Sequence, residues 1–238
     1  MKKPATLLLL LSLTFSAIAQ KKNIIKLNLT SLPLRNFSIQ YERALSGKLS
    51  LAGLVRIMPK GPVPLKSSFD SYVSDPETEK QIDNTSLGNF AFTPELRYYF
   101  SKKRDMRGLY FALYSTIASY NASLPYQYTD LGQNKTIPMS GHVTTFTGGF
   151  LLGSQFRLTE NLKLDLWILG PNYGTSNGSI SGQQSLSPSE QSSLKKELAD
   201  LDIPFTKTTY DVNSNGATLY VKGPWAGIRS GICLGFNF

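Results

Sequence analysis

The chain is short of the residues that most often carry chemistry. Its 238 residues include one cysteine, Cys233, and one histidine, His142. A lone thiol excludes an internal disulfide and any zinc site built on paired cysteines. A lone histidine excludes the His-Glu-x-x-His zinc motif. Gly-x-Ser-x-Gly, phosphate-loop and EF-hand patterns are absent as well, so no cofactor and no metal is implied. Acids are few: 16 against 25 lysines and arginines, for a formal charge of +9. The basic residues are scattered, with no helical stripe, which argues against nucleic acid as a partner. After the first twenty residues, no run approaches the ~20 apolar residues of a membrane-spanning helix.

What is present begins with MKKPATLLLLLSLTFSAIAQ. Lys2 and Lys3 precede a mostly apolar stretch, residues 5–18. Ala17-Ile18-Ala19 is a small-x-small cleavage signature. Residues 1–19 read as a removed secretion signal, and residues 20–238 as a single domain. No cysteine follows the apolar stretch, so a lipoprotein is excluded. Cleavage would remove two lysines and no acids, lowering the charge to +7. For a secreted basic chain, anionic lipid headgroups and lipopolysaccharide phosphates are the expected partners. The Ala19-Gln20 junction resembles that of secreted proteins of Bacteroidetes.

The remainder is a string of segments alternating apolar and polar residues, separated by turn signals. Eight are legible, at residues 23–30, 37–45, 49–58, 89–100, 108–120, 141–158, 162–169 and 225–238. In the fourth, Phe90, Phe92, Pro94, Leu96, Tyr98 and Phe100 share one face, and Glu95 and Arg97 the other. The seventh sets Leu162, Leu164, Leu166 and Ile168 against Lys163 and Asp165. Lengths of about 8–14 residues suit tilted strands that cross a bilayer in roughly 9–11.

The connections alternate too. Those at 46–48, 101–107 and 159–161 are short, and those at 59–87, 121–140 and 170–224 are long. An even strand count with short turns on one side and long loops on the other fits a closed membrane barrel, with short turns at the periplasmic end. In the last loop, Ser187-Pro188-Ser189-Glu190 forms a capping box with proline at the first helical position. Leu194, Leu198 and Leu201 follow at helical spacing. A short helix is predicted over 188–201.

Alternation alone leaves open whether the apolar face points inward or outward. The leader, the heavy Phe, Leu and Ile content of that face, and the last strand decide for outward. That last strand, GICLGFNF, puts Ile232, Leu234, Phe236 and Phe238 on one face and ends on an aromatic residue. It resembles the closing-strand signal of bacterial outer-membrane barrels, which the barrel assembly machinery engages. Taken whole, the chain resembles small eight-stranded barrels such as OmpX and the membrane domain of OmpA. The resemblance implies an all-β, eight-stranded antiparallel up-and-down transmembrane β-barrel in the outer membrane of a Gram-negative bacterium, with a short helix in the last external loop.

Eight strands enclose a lumen that side chains fill. Lys26, Glu42, Arg56, Glu95, Arg97, Lys163, Asp165 and Arg229 lie on the predicted inner face as a charge network. Glu42 and Glu95 are expected to pair with Lys26, Arg56 or Arg97, and Asp165 with Arg229 or neighbours of Lys163. Tyr72, Tyr126, Tyr128, Tyr173, Phe205 and Tyr210 are candidate contact residues in the external loops. Phe236 and Phe238 carry the expected assembly signal. The functional expectation is a non-enzymatic barrel whose loops bind a partner or stiffen the envelope. The alternatives are a narrow channel for small solutes, or a lipid-A-modifying enzyme using His142 at the outer rim. Thr144 stands where the deacylase barrels carry serine, which weakens that last reading.

Overall fold

The computed structural model describes residues 22–66, 76–101, 105–201 and 206–238. The leader at 1–19 and the candidate contacts Tyr72 and Phe205 lie outside them. The described residues form nine strands: β1 Asn23–Asn28, β2 Phe37–Ala44, β3 Leu49–Pro62, β4 Ser86–Tyr99, β5 Gly108–Asp130, β6 Gln133–Arg157, β7 Leu162–Gln183, β8 Lys207–Asn213 and β9 Gly216–Asn237. A 3-10 turn, Leu32–Leu34, links β1 to β2, and two helices, α1 Pro76–Asp83 and α2 Pro188–Ala199, lie in the longer connections.

Strands β1 to β7 pair antiparallel in chain order, β7 pairs with β9, and β1 pairs with β9 to close a ring of eight. The backbone of Phe238 makes the last contact. Its N–H donates to the Asn23 carbonyl at 2.9 Å, and its carbonyl accepts from the Asn23 N–H at 3.1 Å. β8, the strand beyond the eight read from sequence, pairs only with the far end of β9 and stands outside the ring.

Closing a sheet requires tilted, staggered strands. The stagger can be followed through the register. Leu234 of β9 faces Leu27, which faces Ile39. From Ile39 the partners run Val55, Phe92, Ile117, Phe146, Thr175 and back to β9 at Pro224. One circuit therefore climbs from residue 234 to residue 224, ten positions along β9.

The outward direction of the apolar face holds throughout. Phe37, Ile39, Val55, Ile57, Phe90, Phe92, Leu96, Phe111, Leu113, Phe146, Phe150, Leu234 and Phe236 are all exposed on the outer wall. Their strand neighbours Ser38, Gln40, Glu42, Thr93, Glu95 and Arg97 are buried inside.

The wall is lopsided. β1 and β2 have 6 and 8 residues, while β5, β6, β7 and β9 have 22–25. The long connection expected at 121–140 is instead continuous sheet, with β5 and β6 paired out to a hairpin at Leu131-Gly132. The expected loop at 170–224 is likewise strand over 170–183 and 216–224, with α2 and β8 between. This extension rises beyond the apolar band. Its outer positions are polar, such as Thr129, Asn134 and Thr136, so the apolar alternation disappears while the strand continues. The hairpin turn also departs from the usual Asn-Gly signal: Leu131 and Gly132 sit at φ 50° and 77°, the left-handed conformation of a type I′ turn.

The predicted helix forms as α2, ending at Ala199. Ser187 accepts the Glu190 N–H at 3.3 Å and Glu190 accepts the Ser187 N–H at 2.7 Å, completing the capping box. Leu194 and Leu198 turn into a second core with Tyr128, Ile137, Met139, Leu186, Val212 and Ala217. This core sits above the ring, between the hairpin, α2 and β8.

Interior packing leaves no room at Gly153. A Cβ built there would stand 2.3 Å from the Tyr110 hydroxyl and 2.8 Å from the Leu166 carbonyl. Gly153→Leu is expected to lower stability by about 1–3 kcal/mol through overpacking, read as a reduced midpoint in chemical unfolding of detergent-folded protein. An unchanged midpoint would mean that Tyr110 does not occupy the lumen.

Candidate functional site

The lower half of the lumen is filled by one connected polar network, and each of the eight ring strands contributes to it. Lys26 on β1 contacts Glu42 on β2 at 2.5 Å and Asp165 on β7 at 2.6 Å. Arg97 on β4 contacts Glu95 at 2.5 Å, Asp165 at 2.7 Å and Glu42 at 3.3 Å. Arg229 on β9 contacts Glu95 at 2.8 Å. Three acids thus face three bases.

Neutral groups complete the coordination. Glu42 accepts from Tyr99 at 2.7 Å and from the Ser50 hydroxyl on β3. Asp165 accepts from Tyr110 on β5 at 2.8 Å. Gln155 on β6 accepts from Lys26 at 2.5 Å, and Gln40 accepts from Arg97 at 2.8 Å. Arg97 also lies over the Tyr110 ring, 4.5 Å from its centroid. Lys26, Glu42, Glu95, Arg97 and Asp165 are almost completely buried. A buried ion loses its hydration, and only close partners offset that loss. Here every one of these charges has at least two.

Six of the eight residues singled out from sequence meet in this network, with partners that differ in part from those expected. Asp165 pairs with Lys26 and Arg97, rather than with Arg229. Lys163 stands apart, donating to the carbonyls of Asp105 at 2.5 Å and Met106 at 3.3 Å where the β4–β5 turn folds back under the ring. Among the described residues, Arg56 reaches no carboxylate. It donates to the Tyr120 hydroxyl at 3.1 Å. The ten-residue climb explains both corrections, because it sets which positions share a level and alternation within one strand carries no trace of it.

Above the network lies a cavity of about 390 Å³. Arg56 and Arg229 line it, with Thr93, Thr116, Thr145, Thr147, Asn36 and Asn172, and no carboxylate does. Arg229 spans the boundary, packed at 3.9 Å over Trp167 and 5.0 Å over Tyr114. Tyr120 and Trp225 stack across the upper part, 5.2 Å between centroids. Both tryptophans of the chain line this space. Sequence reading missed it, since Trp225 and the four threonines are spread over β4, β5, β6 and β9 and carry no local signal.

The loop aromatics divide. Tyr128 is buried in the upper core, and the half-buried Tyr126 packs against that core. Tyr173 is exposed on the outer wall of β7, in strand rather than loop, and Tyr210 is exposed on β8. Phe236 and Phe238 are exposed on the outer face. His142 is exposed on β6, opposite Asn121 and Ser179, in a cleft lined by Thr144, Thr145, Asn177 and Tyr220 but no acid. A nucleophile–histidine pair needs an orienting carboxylate, and the lining of this cleft supplies none.

Residues 5–174 match the model of a family of proteins of unknown function, DUF3575. The chain belongs to this family. No curated protein and no solved structure matches it.

Ion pairs also dock the helix α2 of this family member. Lys135 on the hairpin contacts Asp130 at 3.0 Å and Glu190 at 2.9 Å. Asp130 in turn accepts from Ser189 at 2.7 Å and Ser193 at 3.0 Å. Hydrogen bonding from Lys135, then from Ser187, lowers the Glu190 carboxyl to about 2. The hydroxyl of Ser189 and the ammonium of Lys135 lower Asp130. Both carboxyls are depressed in the fold, so their stabilisation is present above the ordinary carboxylate range and fades as pH falls from about 4.5 toward about 2. Amide exchange in α2 should be slower than in Glu190→Gln at pH 6, with the two proteins converging near pH 2. Equal exchange at pH 6 would remove the ion pair as the docking contact.

In the lower network, Arg97→Met takes away one of the two basic partners of each of Glu42, Glu95 and Asp165. It is expected to cost about 3–5 kcal/mol, measured as the loss of chemical unfolding midpoint, while Arg56→Met, which breaks no ion pair, costs well under half of that. Similar losses would contradict the division between network and cavity.

Proposed function

We propose that this protein is an outer-membrane β-barrel with a closed lumen and a capped outer end, and that it is not an enzyme. The observation that carries the reading is the exposed apolar belt. Large aliphatic and aromatic side chains cover the outer wall on every strand of the ring, whereas Lys26, Glu42, Glu95, Arg97, Lys163 and Asp165 of those strands are buried inside. A soluble protein of this size rarely exposes a contiguous apolar patch beyond a few hundred Å². A belt around a closed ring is what a bilayer accommodates, because closure satisfies the backbone and the belt meets the lipid.

The leader read at residues 1–19 supports export. Aromatic residues toward both ends of the β4 outer face, Phe90 and Phe92 at one and Tyr98 and Phe100 at the other, support two interfaces. The expected partners are outer-membrane lipids, lipopolysaccharide and the barrel assembly machinery, with Phe236 and Phe238 as the residues that machinery would engage. The neutralised network argues for a shut lumen. A narrow solute channel would need a continuous path through Lys26, Glu42, Arg97 and Asp165, which are nearly all without solvent exposure.

The direct test is electrophoresis of the outer-membrane fraction in SDS with and without boiling. The reading predicts a folded species that shifts mobility only on heating. Planar-bilayer recording on the same protein is expected to show no stepwise conductance. A soluble periplasmic protein with no heat-dependent shift would refute the membrane reading, and stable conductance steps would refute the closed lumen.

A further inference from the structure

Among the described residues, the ring is incompletely sealed on one side. β1 follows β9 upward only as far as Leu29, whose N–H donates to the Ile232 carbonyl at 2.8 Å, and Thr30, whose hydroxyl accepts the Ile232 N–H at 3.3 Å. From the other end, β8 covers β9 only down to the Lys207–Lys222 pair. Among the described residues, no strand pairs with this edge of β9 between 223 and 231. Pro224 lies within that stretch and has no N–H to offer, as befits an edge. The gap is flanked by the β1–β2 turn, and its rim carries Ile228, 74% exposed, and Leu34, 40% exposed. Ile228, Ser230, Leu34 and Ser31 line the same cavity as Arg56 and Arg229. The cavity therefore meets the outer wall sideways, at the upper edge of the apolar belt.

The charge inside is unbalanced. Arg229 is neutralised from below by Glu95, but Arg56 has only a phenol. Among the described residues, Arg56 Nε and Arg229 Nε and Nη2 are buried without a hydrogen-bond partner. Unpaired guanidinium N–H groups in an acid-free, threonine-lined space form a cradle for an oxyanion. The volume accommodates a head group and a short length of chain. The rest of a long molecule would pass through the gap, over Ile228 and Leu34, onto the belt.

We propose that this cavity binds an anionic amphiphile, a carboxylate or phosphate on an apolar chain, with the head group on Arg56 and Arg229 and the chain leaving through the gap between β9 and the β1–β2 turn. The sideways route rests on the membrane reading; the head-group site rests only on the closed ring.

Both tryptophans face the cavity, so their fluorescence reports occupancy. The experiment titrates the full chain, folded in nonionic micelles, with dibromostearate, and in parallel with the matching brominated alcohol. Quenching by the acid should saturate, fall more strongly in the Trp167→Phe protein, which retains Trp225 at the upper level, than in Trp225→Phe, and weaken at least tenfold in Arg56→Gln. Equal quenching by the alcohol, unaffected by Arg56→Gln, would reduce the effect to partition into the micelle and overturn the site. Displacement by inorganic phosphate as effective as by a monoalkyl phosphate would assign a free oxyanion and overturn the amphiphile. Should Arg56→Gln fail to fold, the comparison of acid with alcohol and of the two single-tryptophan proteins decides alone. Boiled and unboiled samples of the same preparation report the barrel separately, so loss of the heat shift and loss of saturable quenching are distinct failures.

Discussion

Closure of the ring is the constraint on which the rest of this structure depends. A β-sheet edge leaves backbone N–H and C=O groups unpaired, and joining β1 to β9 removes both edges over the lower wall. Closure with a ten-residue climb then assigns every side chain to one of two environments. Inside the lower ring the charged side chains are cut off from solvent, so polar groups there must satisfy one another. Outside, the same strands turn Phe, Leu and Ile outward without penalty only if something apolar meets them.

The charge network follows from that assignment. Lys26, Glu42, Arg97 and Asp165 come from four strands and could not be buried singly. Their mutual contacts make burial tolerable, and Tyr99, Tyr110, Gln40 and Gln155 take up the remaining donors and acceptors. The network is thus a plug and a register lock: sliding any strand by one residue would put its contributor on the outer wall. Arg56 and the threonines of β4, β5 and β6 lie one level up, where the lumen is only partly filled. The difference between the two levels is compositional, since the described lining of the cavity carries Arg56 and Arg229 but no acid.

Above the belt the wall does a different job. β5, β6, β7 and β9 continue upward as a sheet with polar outer positions, and α2 and β8 close over it through Leu194, Leu198 and Val212. The cap is held by the apolar core around Leu194 and Leu198 and by the Lys135 ion pairs, on a lower barrel whose closure is backbone pairing. The shortness of β1 and β2 leaves the opposite side low, and the seam between the two heights is where the cavity meets the outer wall.

Much of this was legible in the sequence because period-two alternation is local. The eight ring strands, the outward aromatic face of β4, the inward charges and the helix after Ser187 all follow from residues a few positions apart. The tall extension was not legible, because alternation is an apolar signal and the extension's outer face is wetted; nor was its turn, which places Leu131 in a left-handed conformation without the usual asparagine. The pairing of Asp165 with Lys26 and Arg97, the isolation of Arg56, and the meeting of Trp225 with Tyr120 depend on stagger, a property of the closed ring that no strand contains alone. The sequence by itself determined which face of each strand is apolar; only the tertiary structure decided which inward residues share a level, because that is set by how far the sheet must climb to meet its own edge.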